Sequence, residues 1–143
     1  MAESHIFTIS SSNLQCPDEY EADGINPLWG DGCIEYAVEK YQEVPAKFVF
    51  FGPYITLDPG VYFFSFLGSL DGTLEVNFCG MAGRCILKDV TLTSFDAPIC
   101  LALLEAVSDF EIRGRKTDRL TALRLEGIEV ERLAIAEAAV VST

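Results

Sequence analysis

Phe48-Val49-Phe50-Phe51-Gly52-Pro53-Tyr54-Ile55-Thr56-Leu57-Asp58-Pro59-Gly60-Val61-Tyr62-Phe63-Phe64-Ser65-Phe66-Leu67 is the stretch whose reading sets the fold class. Aromatic and β-branched side chains crowd it in short runs, the composition of strands that fit a pleated, packed surface. Gly52-Pro53 and Asp58-Pro59-Gly60 interrupt the runs. Proline holds φ at about −65° and a following glycine accepts positive φ, which a tight turn between strands needs.

The same grammar continues outward. Asp71-Gly72 repeats the turn device before Leu74-Glu75-Val76-Asn77-Phe78, an in-out alternation, and further strands read over 86–93, 99–104, 110–113 and 120–132. Upstream, His5-Ile6-Phe7-Thr8-Ile9-Ser10 reads as a strand, 11–31 as mainly loop, and Ile34, Tyr36 and Val38 alternate with Glu35, Ala37 and Glu39 as a further strand, although Ile34, Val38 and Tyr41 would also share a helical face. In 120–132 Leu123 and Leu125 share one phase and Ile128 and Val130 the other, so a bulge or corner is expected beside Gly127. Short strands without intervening amphipathic helices predict an all-β fold, an antiparallel β-sandwich (jelly roll) of about eight or nine strands. One domain over 1–143 is expected, with an N-terminal strand and loop region (1–46), a main sandwich (47–132) and a tail (133–143) that has helical character over 134–141.

Both phases of 61–67 are apolar, and so are both phases of 48–51 and 101–104. Either the outer face of these strands is covered by the N-terminal loop or the tail, or it meets a second subunit or a ligand.

Ten Lys+Arg against twenty-two Asp+Glu give a formal charge of −12. Nucleic-acid affinity comes largely from cations that displace phosphate counterions, so no nucleic-acid partner is expected, and an anionic membrane surface is disfavoured likewise. Apolar runs are far shorter than the roughly 20 residues a spanning helix needs, and no membrane insertion is expected. The start lacks a basic, apolar leader, and five cysteines (Cys16, Cys33, Cys79, Cys85 and Cys100) show no Cys-x-x-Cys spacing. A cytoplasmic location and buried roles for Cys79 and Cys100 follow, with a Cys79–Cys85 bridge as an alternative.

The single histidine, His5, lies near the N-terminus, so neither a Ser-His-Asp nor a Cys-His centre is expected, and zinc lacks its ligands. No catalytic residue, metal ligand or cofactor is assigned. Calcium at the acidic loop 18–24 is the alternative to a plain solvated loop. For sugar binding, an aromatic face stacks on the C–H face of a pyranose while amides and carboxylates bond its hydroxyls. Trp29, the only tryptophan, is the leading stacking candidate, followed by Tyr54, Tyr36 and Tyr41, with Asn26 and Asp31 as hydroxyl partners; a core plug is the competing role for Trp29. Arg113 and Arg115 belong to the one basic cluster, with Lys116 and Arg119 around an expected hairpin turn. They suit a uronate or phosphosugar, or else pair with Glu111 and Asp118.

The segment 51–62 carries a Gly-Pro-Tyr-x-x-Leu-x-x-Gly-x-Tyr unit, and 123–132 reads Leu-Arg-Leu-Glu-Gly-Ile-Glu-Val-Glu-Arg. Together with Phe110-Glu111-Ile112-Arg113, these resemble the strand-turn-strand unit and closing strand of jelly-roll modules attached to bacterial glycosyltransferases and polysaccharide proteins. The likeness spans 48–132, about three-fifths of the chain. Such modules are similar to carbohydrate-binding modules, which implies a non-catalytic domain that holds a glycan or polysaccharide. A structural protein that assembles as a homo-oligomer through apolar sheet faces is the alternative.

Overall fold

The computed structural model describes residues 4–21, 24–30, 32–41 and 43–133. The helical character read for 134–141 falls outside these residues. Nine antiparallel strands share one hydrogen-bonded sheet, so the all-β expectation holds. They are β1 (Ser4–Ser10), β2 (Trp29–Gly30), β3 (Cys33–Ala37), β4 (Phe48–Phe50), β5 (Pro53–Leu57), β6 (Gly60–Gly80), β7 (Cys85–Leu92), β8 (Ile99–Leu103) and β9 (Val107–Leu133), with one short helix, α1 (Val38–Tyr41), after β3. Among the described residues no helix is long and apolar enough to cross a membrane.

Two strands organise the rest. β6 and β9 pair from Val61↔Leu133 to Cys79↔Glu111. The separate strands expected at 61–67 and 74–78, and at 110–113 and 120–132, are each merged into one. Twenty-one residues of straight strand would reach about 70 Å, and β6 does not run straight. Phe64 and Phe78 lie 78 − 64 = 14 residues apart, about 46 Å of extended chain. Their ring centroids are 4.9 Å apart, and Phe110 of β9 stacks on Phe64 at 5.7 Å. The β6/β9 ribbon therefore folds over, placing its two halves face to face.

The fold sits where the register slips, between Leu67 and Gly68, between Asp71 and Gly72, and between Gly72 and Leu74. Glu126, Thr121 and 117–119 of β9 have no partner in β6, against Thr73 alone on β6, so β9 takes the longer path around the corner, and the first of these bulges is the one expected beside Gly127. Gly68 (φ 139°) and Gly72 (φ 96°) bring β6 against β9 so closely that a Cβ would run into the Arg124 and Arg119 carbonyl oxygens.

Each half-ribbon gathers its own partners. β1 pairs with β9 over 127–133 and β8 with β6 over 60–64, completing the first layer. β4 and β5 pair with the start of β9, and β7 with the end of β6, completing the second. The core lies between: Ile9, Tyr62, Phe64, Phe66, Leu101, Ile128 and Val130 from one side, Phe50, Leu74, Val76, Phe78, Phe110 and Ile112 from the other, all buried. Burying a large apolar side chain contributes about 1.5–3 kcal/mol, so these rings and branched chains dominate the stabilising side.

The doubly apolar runs resolve by alternation. In 60–67 the even positions face the core, and Val61, Phe63 and Leu67 face outward. In β8 Ile99, Leu101 and Leu103 face inward, which leaves Cys100 exposed and corrects its expected burial: β8 is an edge strand whose even positions point to solvent. At 48–51 the N-terminal loop provides cover, since Gln15 and Phe51 exchange backbone hydrogen bonds of 2.8 and 2.9 Å. Cys79 and Cys85 are free, and the register explains it: Cys85 opposes Gly80, one residue past Cys79, so the two side chains leave opposite faces of the sheet.

The loop 11–28 plugs the corner with Leu14, Cys16, Tyr20 and Leu28. Burial pushes the Cys16 thiol from 9.0 up to about 12, and burial plus the hydrogen bond to Glu111 pushes the Tyr54 phenol from 10.0 up to about 12. Both folded-state values exceed the unfolded ones, so the unfolded chain releases these protons first. Stability is then fully present below about pH 9 and declines as pH rises toward 12. Urea midpoints measured along an alkaline series should fall in that window, and Cys16→Ala should flatten the early part of the fall. A profile level to pH 12 would contradict this account.

Candidate functional site

Trp29 sits on a hairpin built by its neighbours. Asn26 accepts the Leu28 N–H on Oδ1 (3.1 Å), turning the chain, while its Nδ2 donates to the carbonyls of Cys16 (3.3 Å) and Pro17 (3.1 Å). This corrects the assignment of Asn26 as a hydroxyl partner: the side chain is buried and its amide is spent stapling two loops. Leu28 is wholly buried, and its carbonyl accepts the Glu35 N–H at 2.7 Å. β2 is the outermost strand of the sheet, so one flank of Trp29 has no neighbouring strand. Trp29 pairs with Ile34 and is 48 % exposed, so the only tryptophan is not a core plug. Asp31 lies outside the described residues.

Two recesses flank this hairpin. One, of about 360 Å³, is lined by Trp29, Ser11, Ser12, Gly30, Gly32 and Cys33. The other, of about 370 Å³, opens at the corner, with Glu35, Lys40, Tyr41, Ser69, Asp71 and Arg124 in its wall. Both are at the small end of ligand pockets, which run from about 300 to 1,000 Å³. Glu35 joins them, accepting Arg124 Nη1 at 2.6 Å and the Cys33 thiol at 3.3 Å. Burial, reinforced by that bond to Glu35, pushes the Cys33 thiol up and keeps it protonated, a poor nucleophile. The corner cavity offers carboxylate acceptors beside ammonium and guanidinium donors, and Tyr41 offers part of a ring. Of the other tyrosines, Tyr36 is buried beneath this wall in an aromatic cluster with Tyr20 and Tyr41.

The chain matches no family model, no curated protein and no solved structure.

The remaining candidates gather elsewhere. Arg113 and Arg115 lie within β9, paired with Asn77 and Glu75 of β6, not around a hairpin turn; within the basic cluster the pairing lapses only over 117–119, which takes in Arg119. Their side chains share the outer face of the second layer with Tyr54, whose hydroxyl donates to Glu111 Oε2 at 2.6 Å. Arg113 Nε donates to Glu111 Oε1 at 2.8 Å, the pairing weighed from the sequence, and Arg115 Nη1 stands 3.9 Å from Glu75. Trp29 lies beside the Leu125 end of β9 through Ile34, whereas Tyr54 lies beside Glu111, so the structure divides the predicted residues between two places.

Sequence reasoning missed the corner cavity. The outward phase of Glu35 was legible from the alternation of β3. Its partner Arg124 is 124 − 35 = 89 residues away and is brought beside it only by the β3–β9 register, Glu35↔Arg124. In the acidic loop, Asp18 and Glu19 are exposed, Ala22 and Asp23 lie outside the described residues, and no group of three potential metal ligands occurs among the described residues.

Proposed function

We propose that this protein is a non-catalytic carbohydrate-binding domain that holds a polysaccharide at the Trp29 hairpin. The half-exposed indole at the rim of a recess carries the reading, because an aromatic face is what a pyranose needs and tryptophan is on average a highly buried residue. The adjoining cavity supplies the rest: a sugar hydroxyl both donates and accepts, and Glu35 and Asp71 accept where Lys40 and Arg124 donate. The all-β architecture and the resemblance of 48–132 to polysaccharide-associated modules support the same reading. All five cysteines are free, which suits a reducing cytoplasm.

Calorimetric titration against dextran, mannan, galactan and a soluble β-glucan tests it. One of these should bind, and Trp29→Ala should weaken it about tenfold or more, the equivalent of about 1.4 kcal/mol. The thermal midpoint should barely move, since exposed substitutions fall within about 0.5 kcal/mol. Binding that ignores Trp29→Ala would sink the proposal.

Homo-oligomerisation through the outer face of the first layer is the second reading, favoured by the exposure of Ile6 and Leu104. Glu129 and Glu131 interrupt that face, flanked by Phe63 and Ser65. A two-fold contact would set four carboxylates against one another, which makes this reading the weaker.

A further inference from the structure

Among the described residues, four other than glycine hold positive φ: Tyr54 (64°), Met81 (55°), Ala82 (57°) and Asp109 (48°). All four meet at one end of the second layer. Met81 and Ala82 donate their backbone N–H groups to the carbonyls of Ser108 (2.8 Å) and Asp109 (3.2 Å), and Tyr54 donates its hydroxyl to Glu111. Left-handed backbone costs stability at each such residue; at Met81 and Ala82 it belongs to the turn that joins β6 to β7. The same spot holds a buried ion pair, Glu111 at 2 % exposure and Arg113 at 27 %. Such a pair adds little net stability, because desolvation offsets the attraction.

Two of these features bear on Arg113: the ion pair to Glu111, and the turn through Met81 and Ala82 that brings Gly83 onto its guanidinium. Its Nε is held by Glu111, its guanidinium lies 5.4 Å from the Phe48 ring centroid, and Gly83 closes so tightly over Nη2 that a Cβ there would collide. The guanidinium is positioned within a sheet face ordered by register, with Asp89, Asn77 and Arg113 in one cross-strand row and Thr91, Glu75 and Arg115 in the next. Asn77 Nδ2 donates to Asp89 Oδ1 at 2.7 Å and lies buried between the charged groups. Glu75 Oε1 accepts a long bond from Asn77 Nδ2 (3.4 Å) and lies 3.9 Å from Arg115, and both Glu75 and Arg115 are accessible, so each keeps bonding capacity to spare.

We infer that this face is a second glycan-binding surface, one that takes a neutral polysaccharide chain through Arg113, Arg115, Glu75 and Asp89. The inference rests on the glycan reading of the Trp29 site. Vicinal hydroxyls each donate and accept, so they match a surface that interleaves guanidinium with carboxylate. A polyuronate or polyphosphate would instead face Glu75, Asp89 and a chain of net charge −12. With the Trp29 hairpin beside one part of β9 and this face on another, a long polymer gains avidity that a short oligosaccharide does not. Linked sites raise apparent affinity by about 10²–10⁴-fold when both can be engaged.

The test compares dextran, mannan, galactan and a soluble β-glucan, each as polymer and as its hexasaccharide, with polygalacturonate as the acidic arm. The hexasaccharide of the polymer that binds should occupy two sites per chain. Arg115→Ala combined with Glu75→Gln, two accessible positions outside the core, should leave one site and lower polymer affinity about tenfold or more. Gly83→Ala, which pushes on Arg113 without removing a ligand-facing group, should weaken the same site. A single site per chain, lost in Trp29→Ala and untouched by the Arg115/Glu75 pair, would overturn this inference and leave the proposed function standing. No binding to any of the glycans would overturn both. Salt-sensitive preference for polygalacturonate would overturn the assignment to a neutral chain.

Discussion

Arg113→Ala is expected to lower stability by about 3–5 kcal/mol at neutral pH, the usual cost of breaking a buried ion pair from one side. The substitution removes the cation from a carboxylate that is almost fully buried and leaves Glu111 with the Tyr54 hydroxyl as its remaining side-chain partner. An uncompensated charge in that position is worse than no charge at all. The companion variant, Arg113→Ala with Glu111→Gln, should therefore recover more than half of the loss, since a neutral amide still accepts from Tyr54 and needs no cation. Glu111→Gln alone should cost less than Arg113→Ala, because the guanidinium is partly exposed and water compensates it. Urea unfolding of the four proteins completes a double-mutant cycle with a large coupling term. Equal losses in the single and the double variant would show that the cost lies in lost packing against Phe48 and not in the stranded carboxylate.

The second large effect belongs to Phe64→Ala, at about 3–5 kcal/mol. Phe64 is wholly buried and stacks among Tyr62, Phe78 and Phe110 at 6.1, 4.9 and 5.7 Å, so its ring joins the two halves of the folded ribbon. Its removal deletes contacts from both layers at once, and the rigid strands around it cannot close the space. Phe63→Ala, one residue away on the outward phase, should cost only about 1 kcal/mol. The contrast is the informative measurement. Comparable losses at the two positions would mean that the alternation of β6, and with it the inner face of the first layer, is assigned wrongly.

That contrast also marks a boundary of what the sequence shows. Val61, Phe63 and Leu67 are as apolar as Tyr62, Phe64 and Phe66, so composition cannot decide which phase faces the core. The register to β9 decides it, by setting Phe64 opposite the buried Val130 and Phe63 opposite Glu131. Asp71-Gly72 carries a legitimate turn signal, and a turn there would have made 61–67 and 74–78 partners of each other. In the structure both pair with β9 instead, and the glycines serve to let the ribbon turn a corner. The bulge beside Gly127 was legible because a change of side-chain phase is a local event, recorded in adjacent residues.

The candidate sites divide along the same line. That Trp29 is the only tryptophan and follows an Asn-Pro turn is visible in the chain. That it is half exposed follows from the place of β2 at the edge of the sheet, since its cross-strand partner Ile34 is wholly buried. Asn26 looked like a ligand group in one dimension and proves to be a staple, because the carbonyls of Cys16 and Pro17 arrive from a loop that sequence neighbours do not reveal.

By itself, the sequence determined the strand-forming composition, the acidic balance and the scarcity of histidine, all of which depend on residue identity or immediate neighbours; at Pro59-Gly60 the glycine does not take the positive φ that a tight turn asks for, because β5 and β6 both pair with β9 and not with each other. Tertiary structure alone decided that two long strands fold over as one ribbon, that Glu35 meets Arg124 and that Glu111 is buried against Arg113 and Tyr54. Strand pairing is a long-range choice made by the whole core: hydrogen bonds between extended segments are chemically alike in every register, and only the simultaneous burial of all the inward side chains selects one.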